Sequence, residues 1–370
     1  MTLPLRPDFF GEEPYGAPQL DVPIVLNTNE NPYAPAPAVV EDIAARVRDV
    51  SAGLNRYPDR EFMELRHALA DYLAVESGVE LPASRLWAAN GSNEIMLQIL
   101  QAFSGPGRVV MTFTPSYSMY SEYARNVYAD FVAVPRGDDF RIDVDAVPAS
   151  FAEHRPSVVL LASPNNPTGT ALDPDDLRAL LEASAGAGPQ VDGRETDAIV
   201  VVDEAYGEFR RDGVPSALEL LAEYPNLIVT RTMSKAFGAA GLRLGYMAAS
   251  QEIVDMVRIV RLPYHLSAVS QAAALAALAH RESLMEQVGQ IRADRDALAS
   301  TLADMGLNVA ASDANFIMFG TFADRHATWQ KLLDQGILIR EVGPEGWLRV
   351  SVGKSEENDA FVAGLKEAMK

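Results

Sequence analysis

The stretch AIVVVDEAY, residues 198–206, decides the fold. Its aliphatic run shows no apolar/polar alternation, the pattern of a strand buried on both faces, and it stops at a carboxylate, Asp203, with a phenol, Tyr206, three residues on. Runs of the same kind lie on either side: RVVMTF (108–113), SVVLLAS (157–163) and NLIVTRT (226–232), with helical patterning between them. Short buried strands alternating with helices predict an α/β fold with a mostly parallel sheet flanked by helices.

Working outward, a chain of 370 residues exceeds the roughly 250 to 300 at which one core gives way to two, so two domains are expected. Helical patterning at Val39–Val50 and Glu61–Ser77 opens a large domain over 36–265. An Ala/Leu-rich helical segment from Leu266 to Met305 begins a smaller C-terminal domain over 266–370, where NFIMFG (315–320), GILIR (336–340) and WLRVSVG (347–353) suggest an α+β unit. Residues 1–35, rich in Pro, Asn and turn formers, read as an arm rather than a packed element. The segment 182–197 reads as a surface loop.

Composition excludes several functions. Acidic residues outnumber basic ones 51 to 31, a net charge of −20 with no Lys/Arg cluster, which argues against nucleic-acid or anionic-membrane binding. With no cysteine and five scattered histidines, no metal site is expected. The N-terminal MTLPLRPDFFGEEPYG lacks a basic segment followed by an apolar one, and no apolar run approaches the roughly 18 residues of a membrane span. A cytoplasmic protein is expected.

Ligands of open α/β sheets bind beyond the carboxyl ends of the strands. There SVVLLAS runs into Pro164-Asn165-Asn166-Pro167-Thr168-Gly169, AIVVV into Asp203 and Tyr206, and LIVTRTMS into Lys235, offering an amide, a carboxylate with a phenol, and an amine. Upstream, Asn90-Gly91-Ser92-Asn93 precedes the helical EIMLQILQAF, and a turn that opens a helix is a ready anion site. Each feature alone reads equally as a turn, a helix cap or a solvated lysine. One cofactor would use them all: pyridoxal 5′-phosphate, with an aldehyde for a lysine, a pyridine nitrogen for a carboxylate, and a phosphate for a helix N-terminus.

These residues resemble the fold-type I pyridoxal-phosphate aminotransferases, and within them the histidinol-phosphate aminotransferases. The motifs are NENP (29–32), NRYP (55–58), NGSNE (90–94), PSYSMY (115–120), SPNNPTG (163–169), VDEAY (202–206), SKAFGAAGLRLGY (234–246), PYHLS (263–267) and LRVSVG (348–353). They cover nearly the whole chain in the family's order.

The resemblance implies catalytic roles for Lys235, Asp203 and Tyr206. Lys235 would be the Schiff-base lysine and proton shuttle, Asp203 the partner of the pyridine N–H, and Asn166 and Tyr206 the partners of the ring oxygen. Tyr117 would stack on the ring, or else is a packed core tyrosine. Gly91, Ser92 and Asn93 at the helix start, with Thr232, Ser234 and Arg243, would hold the phosphate. Tyr57 would reach the phosphate of a neighbouring subunit, implying a homodimer with shared active sites and an arm that joins the small domain and the dimer contact.

Arg349 matches the arginine that grips the substrate's anionic group. Arg340 would join it on a phosphate, or else form a surface ion pair. Tyr15, Asn29 and Glu30, with Asn166, would complete the substrate side. The implied reaction transfers an amino group between histidinol phosphate and 2-oxoglutarate, giving glutamate, by a ping-pong mechanism. An aromatic amino-acid aminotransferase, an amino-acid-phosphate decarboxylase and a ligand-sensing regulator are the alternatives. The chain departs from the family at Tyr15-Gly16-Ala17-Pro18, where many relatives have Tyr-x-Pro-Gly, and at Ala34, where glycine is usual.

Overall fold

The computed structural model describes residues 3–370. At its centre is a seven-stranded sheet in the order Leu86–Ala89, Gly245–Ala248, Leu227–Thr232, Ile199–Asp203, Val158–Ala162, Val109–Thr114, Asp130–Pro135. Only Gly245–Ala248 opposes its neighbours; every other adjacent pair is parallel. Parallel pairing needs a crossover between strands, and the intervening helices cover both faces, so the central strands read as unbroken aliphatic runs.

Register sets the site. Ala162 pairs with Asp203, so these two central strands end level, and Asp203 pairs with Thr230, two residues before the third strand ends at Thr232. The residues that follow them, Asn166, Tyr206 and Lys235, therefore emerge at one edge of the sheet.

Three strands of this sheet escape the sequence reading: LWAA (86–89) and GYMA (245–248) are four residues long and contain no β-branched residue, and DFVAVP (130–135) is a partly exposed strand at the edge of the sheet. The N-terminal stretch is also more ordered than an arm. Ile24–Val25 pairs in parallel with Ile337–Leu338, and Leu26, Asn27 and Asn29 are buried. A two-residue strand beside Pro23 carries no periodic signal.

Near the C-terminus, Asn308–Val309, Phe316–Gly320 and Leu348–Ser351 form an antiparallel sheet with Phe316–Gly320 at its centre. Two apolar clusters result, one around the large sheet and one holding Leu26, Phe319, Leu348 and Phe361. Helix Arg281–Asp304 joins them: Leu284, Val288 and Ile291 pack into the first, Leu298 and Leu302 into the second. The cavity described next draws its walls from the large sheet, the N-terminal stretch and the strand Leu348–Ser351.

Candidate active site

Asp203 ends its strand inside this cavity and is 7 % exposed. Its Oδ1 accepts from Thr230 Oγ1 at 3.1 Å and from the backbone N–H of Ala205 at 3.2 Å, and its Oδ2 from the Tyr120 hydroxyl at 3.2 Å. Burial pushes the carboxyl up to about 6, against the pull of those three donors. Among the described residues no cation lies within 4 Å of it. A buried carboxylate held only by neutral donors is short of a positive partner, which a protonated ring nitrogen would supply.

Lys235 follows the neighbouring strand, and its Nζ donates to the Thr28 carbonyl at 2.9 Å. Burial lowers the amine to about 8, with Arg349 and Arg243 adding to the effect and Glu30 opposing it. Such an amine is partly neutral near pH 8, and its neutral form is able to attack a carbonyl carbon. Asn166 Oδ1 accepts from Arg349 Nη1 at 2.5 Å, which leaves its N–H groups for another acceptor. The Tyr206 hydroxyl accepts from Asn29 Nδ2 at 3.0 Å. Tyr117, partly exposed in the cavity wall, stands edge-on to Tyr120 with ring centroids 5.7 Å apart.

At one end the helix Ser92–Phe103 points its N-terminus into the cavity. The Tyr123 hydroxyl donates to Asn93 Oδ1 at 2.8 Å, fixing the acceptor end of that amide. Thr232 and Ser234 hydroxyls lie 3.0 Å apart, and Arg243 Nη1 donates to Ser234 Oγ at 3.3 Å. The short turn Ala240–Leu242, closed by Arg243 at φ +55°, brings this guanidinium back to the helix start.

The fit there is tight. A Cβ at Gly91, whose φ is +83°, would stand 2.7 Å from Arg243 Nη2, and one at Gly245 would stand 2.2 Å from the Ser92 nitrogen. Gly91 thus backs the cradle rather than lining it. Hydroxyls, backbone N–H groups and one guanidinium with no carboxylate within 4 Å, among the described residues, make a site for a phosphate dianion.

At the other end Arg349 is 6 % exposed, and burial lowers it to about 10. Its Nη2 donates to the Asn27 carbonyl at 2.8 Å, while its buried Nε has no partner among the described residues. Arg340 faces it across an isolated antiparallel bridge, with both backbone N–H···O distances at 2.9 Å. Among the described residues neither arginine has a carboxylate within 4 Å, so Arg340 forms no surface ion pair. Four cations, Lys235, Arg243, Arg340 and Arg349, therefore face one carboxylate, Asp203, in a protein of net charge −20. Such a cavity calls for anionic ligands at both ends.

These residues fit the pyridoxal phosphate implied by the resemblance: a carboxylate lacking a cation, a partly neutral amine and an acid-free phosphate cradle. Residues 21–365 match the model of the aminotransferase class I and II family. The chain belongs to that family. It is 57 % identical, over 99 % of this chain and 95 % of the relative, to a histidinol-phosphate aminotransferase of Thermobifida fusca. It is 55 % identical, over 99 % and 96 %, to histidinol-phosphate aminotransferase 3 of Burkholderia lata. The histidinol-phosphate aminotransferase of Sinorhizobium meliloti, solved in complex with pyridoxal-5′-phosphate, superimposes with a TM-score of 0.81 at 28 % identity, covering 94 % of this chain and 91 % of that one.

Among this aminotransferase's candidate site residues, three lie outside the cavity wall. Gly91 stands behind Arg243, Glu30 is exposed, and Tyr57 is 79 % exposed and stacked on Tyr264 at 4.4 Å. Tyr15 is at the mouth, its hydroxyl 2.9 Å from Ser118 Oγ. Asn29 turns inward to Tyr206 and Ser351. Sequence reasoning missed Tyr120, Tyr123, Thr230 and Ser351, whose contacts span 27 to 322 residues of sequence. The alternation of Arg349 and Ser351 on one strand was the available signal for the last of these.

Proposed function

We propose that this aminotransferase interconverts L-histidinol phosphate and 2-oxoglutarate with imidazole-acetol phosphate and L-glutamate, a step of histidine biosynthesis, using pyridoxal 5′-phosphate. The observation that carries the substrate is the Arg340–Arg349 bridge: two adjacent guanidinium side chains, neither with a carboxylate, suit a dianionic phosphate better than a single carboxylate. The names of the relatives support the same substrate.

Bound pyridoxal phosphate supplies a carbonyl for amines and a ring that takes up electrons. The chain's residues do the rest. Lys235 would give the neutral amine that binds the cofactor's carbonyl carbon and would carry a proton from the substrate's Cα. Asp203 holds the ring nitrogen's proton in place by its charge. Asn166 and Tyr206 donate to the ring oxygen. Ser92, Asn93, Thr232, Ser234 and Arg243 anchor the phosphate, while Arg349 and Arg340 orient the substrate's anionic group. Because one cavity serves both substrates, they bind in turn, a ping-pong order.

The same reading makes the protein a cytoplasmic homodimer with an arm (1–35), a large domain (36–265) and a small domain (266–370). Leu54, Tyr57, Ile259, Leu262 and Tyr264 expose apolar side chains, and this supports a face covered by a second copy in which Tyr57 reaches the partner's phosphate. Among the described residues no helix is long and apolar enough to cross a membrane.

The test is turnover of L-histidinol phosphate with 2-oxoglutarate, followed as glutamate formed. Glutamate in step with substrate loss is expected; no glutamate, together with carbon dioxide released when an amino-acid phosphate that carries a carboxylate is supplied instead, would make the enzyme a decarboxylase.

A further inference from the structure

We propose that Asn29 and Ser351 form a relay that fixes the direction in which Tyr206 offers its proton, which makes both of them positioning residues for the reaction. The proposal rests on the reading of Tyr206 as partner of the cofactor's ring oxygen.

The relay follows from donor and acceptor counts. Ser351 Oγ is buried and accepts the backbone N–H of Asn29 at 2.9 Å. Its own proton goes to Asn29 Oδ1, also at 2.9 Å. The carbonyl end of the Asn29 amide is thereby committed to Ser351, and its Nδ2 must face the Tyr206 oxygen, 3.0 Å away. The opposite amide orientation would leave the Ser351 hydroxyl buried without an acceptor among the described residues. The Tyr206 oxygen is therefore an acceptor from Asn29, and its hydroxyl proton has no acceptor among the described residues: it is left to point into the cavity.

Backbone geometry makes the arrangement rigid. Asn29 sits at φ +56°, a conformation asparagine tolerates, so its N–H and its side chain reach the same Ser351 hydroxyl. Asn315, fully buried, holds the Asn29 carbonyl at 3.0 Å. Donation from Asn29 also polarises the phenol, making Tyr206 a stronger donor to whatever it meets in the cavity. Ser351 lies two residues beyond Arg349 on the same strand, so one element carries both the substrate's anchor and the start of the relay. In this proposal Asn29 acts from the cofactor side of the cavity.

The experiment reads the pH midpoint of the bound cofactor's visible absorption change in the holoenzyme. A donor to the ring oxygen favours the anionic oxygen and lowers this midpoint, so weakening the donor raises it. Tyr206→Phe is expected to raise it most. Asn29→Gly, which tolerates the positive φ and adds no charge, and Ser351→Ala are each expected to raise it by about half to one pH unit. Ser351→Thr, which keeps the hydroxyl, restores the wild-type midpoint.

Asn29→Gly added to Tyr206→Phe is expected to give no further shift, because Asn29 acts through the phenol. A shift from Asn29→Gly that persists in the Tyr206→Phe background would overturn the relay, as would a wild-type midpoint in Ser351→Ala. If Tyr206→Phe itself leaves the midpoint unchanged, the role given to Tyr206 falls first and the relay falls with it.

Discussion

Arg340 and Arg349 are directly paired across an antiparallel bridge, each backbone N–H bonded to the other's carbonyl at 2.9 Å. Directly opposed residues project to the same face, so two like charges are held side by side, an arrangement that costs stability in a sheet. Burial, with a smaller contribution from Arg340, makes the Arg349 cation harder to keep. A dianion between them would remove the repulsion and use both sets of donors.

Arg340→Gln is therefore expected to reduce kcat/KM for histidinol phosphate by about 10- to 100-fold, the cost of a lost charge-assisted contact. The loss for phenylalanine should be a few-fold at most. Steady-state kinetics on both substrates check this, and equal losses would remove Arg340 from the substrate site.

Lys235→Ala is expected to abolish turnover without lowering the melting temperature, since a buried amine with a depressed pKa contributes little to the fold. In the wild-type protein stripped of cofactor, the rate of pyridoxal phosphate uptake should climb with pH around a midpoint near 8. The neutral amine is the reactive form, and it appears as pH rises through the folded value of about 8. A pH-independent rate would show that Lys235 is not the group taking up the carbonyl.

Asp203 supplies a stability signature of opposite kind. Its folded value, about 6, lies above the ordinary carboxyl value of 3.8, so the folded state favours the protonated form. Stability is lost as pH rises from about 4 through 6, and the full penalty is present above that. Without cofactor, Asp203→Asn should be more stable than wild type by about 1 to 3 kcal/mol at pH 7 and no more stable at pH 4. Thermal denaturation across that range measures it, while activity of the variant should fall at least about 100-fold.

Gly91→Ala should weaken pyridoxal phosphate binding by about 10-fold or more, because the new Cβ would strain a positive φ and press on Arg243 Nη2. Equilibrium binding by fluorescence checks it. An unchanged affinity would mean that the helix start does not form the cradle.

What the sequence made legible was whatever lies at a strand end. Asp203, Lys235 and Asn166 follow aliphatic runs, and in a parallel sheet the carboxyl ends of such runs converge. The Arg340–Arg349 pairing was not legible, because nine residues of separation do not state a register. Tyr120, Thr230 and Ser351 were hidden for the same reason: their partners Asp203 and Asn29 meet them only after folding. The two-residue strand Ile24–Val25 was lost within a proline-rich stretch, and with it the inward turn of Asn29.

The most direct test of the substrate assignment is a half-reaction with the purified holoenzyme. L-histidinol phosphate, phenylalanine, aspartate and glutamate are mixed in turn with the protein, and conversion of the cofactor to its amino form is followed by absorbance. The account predicts fast conversion with histidinol phosphate at low concentration and slow conversion with phenylalanine. Preference for phenylalanine would contradict it, making the enzyme an aromatic aminotransferase and leaving the Arg340–Arg349 pair without a dianion to hold.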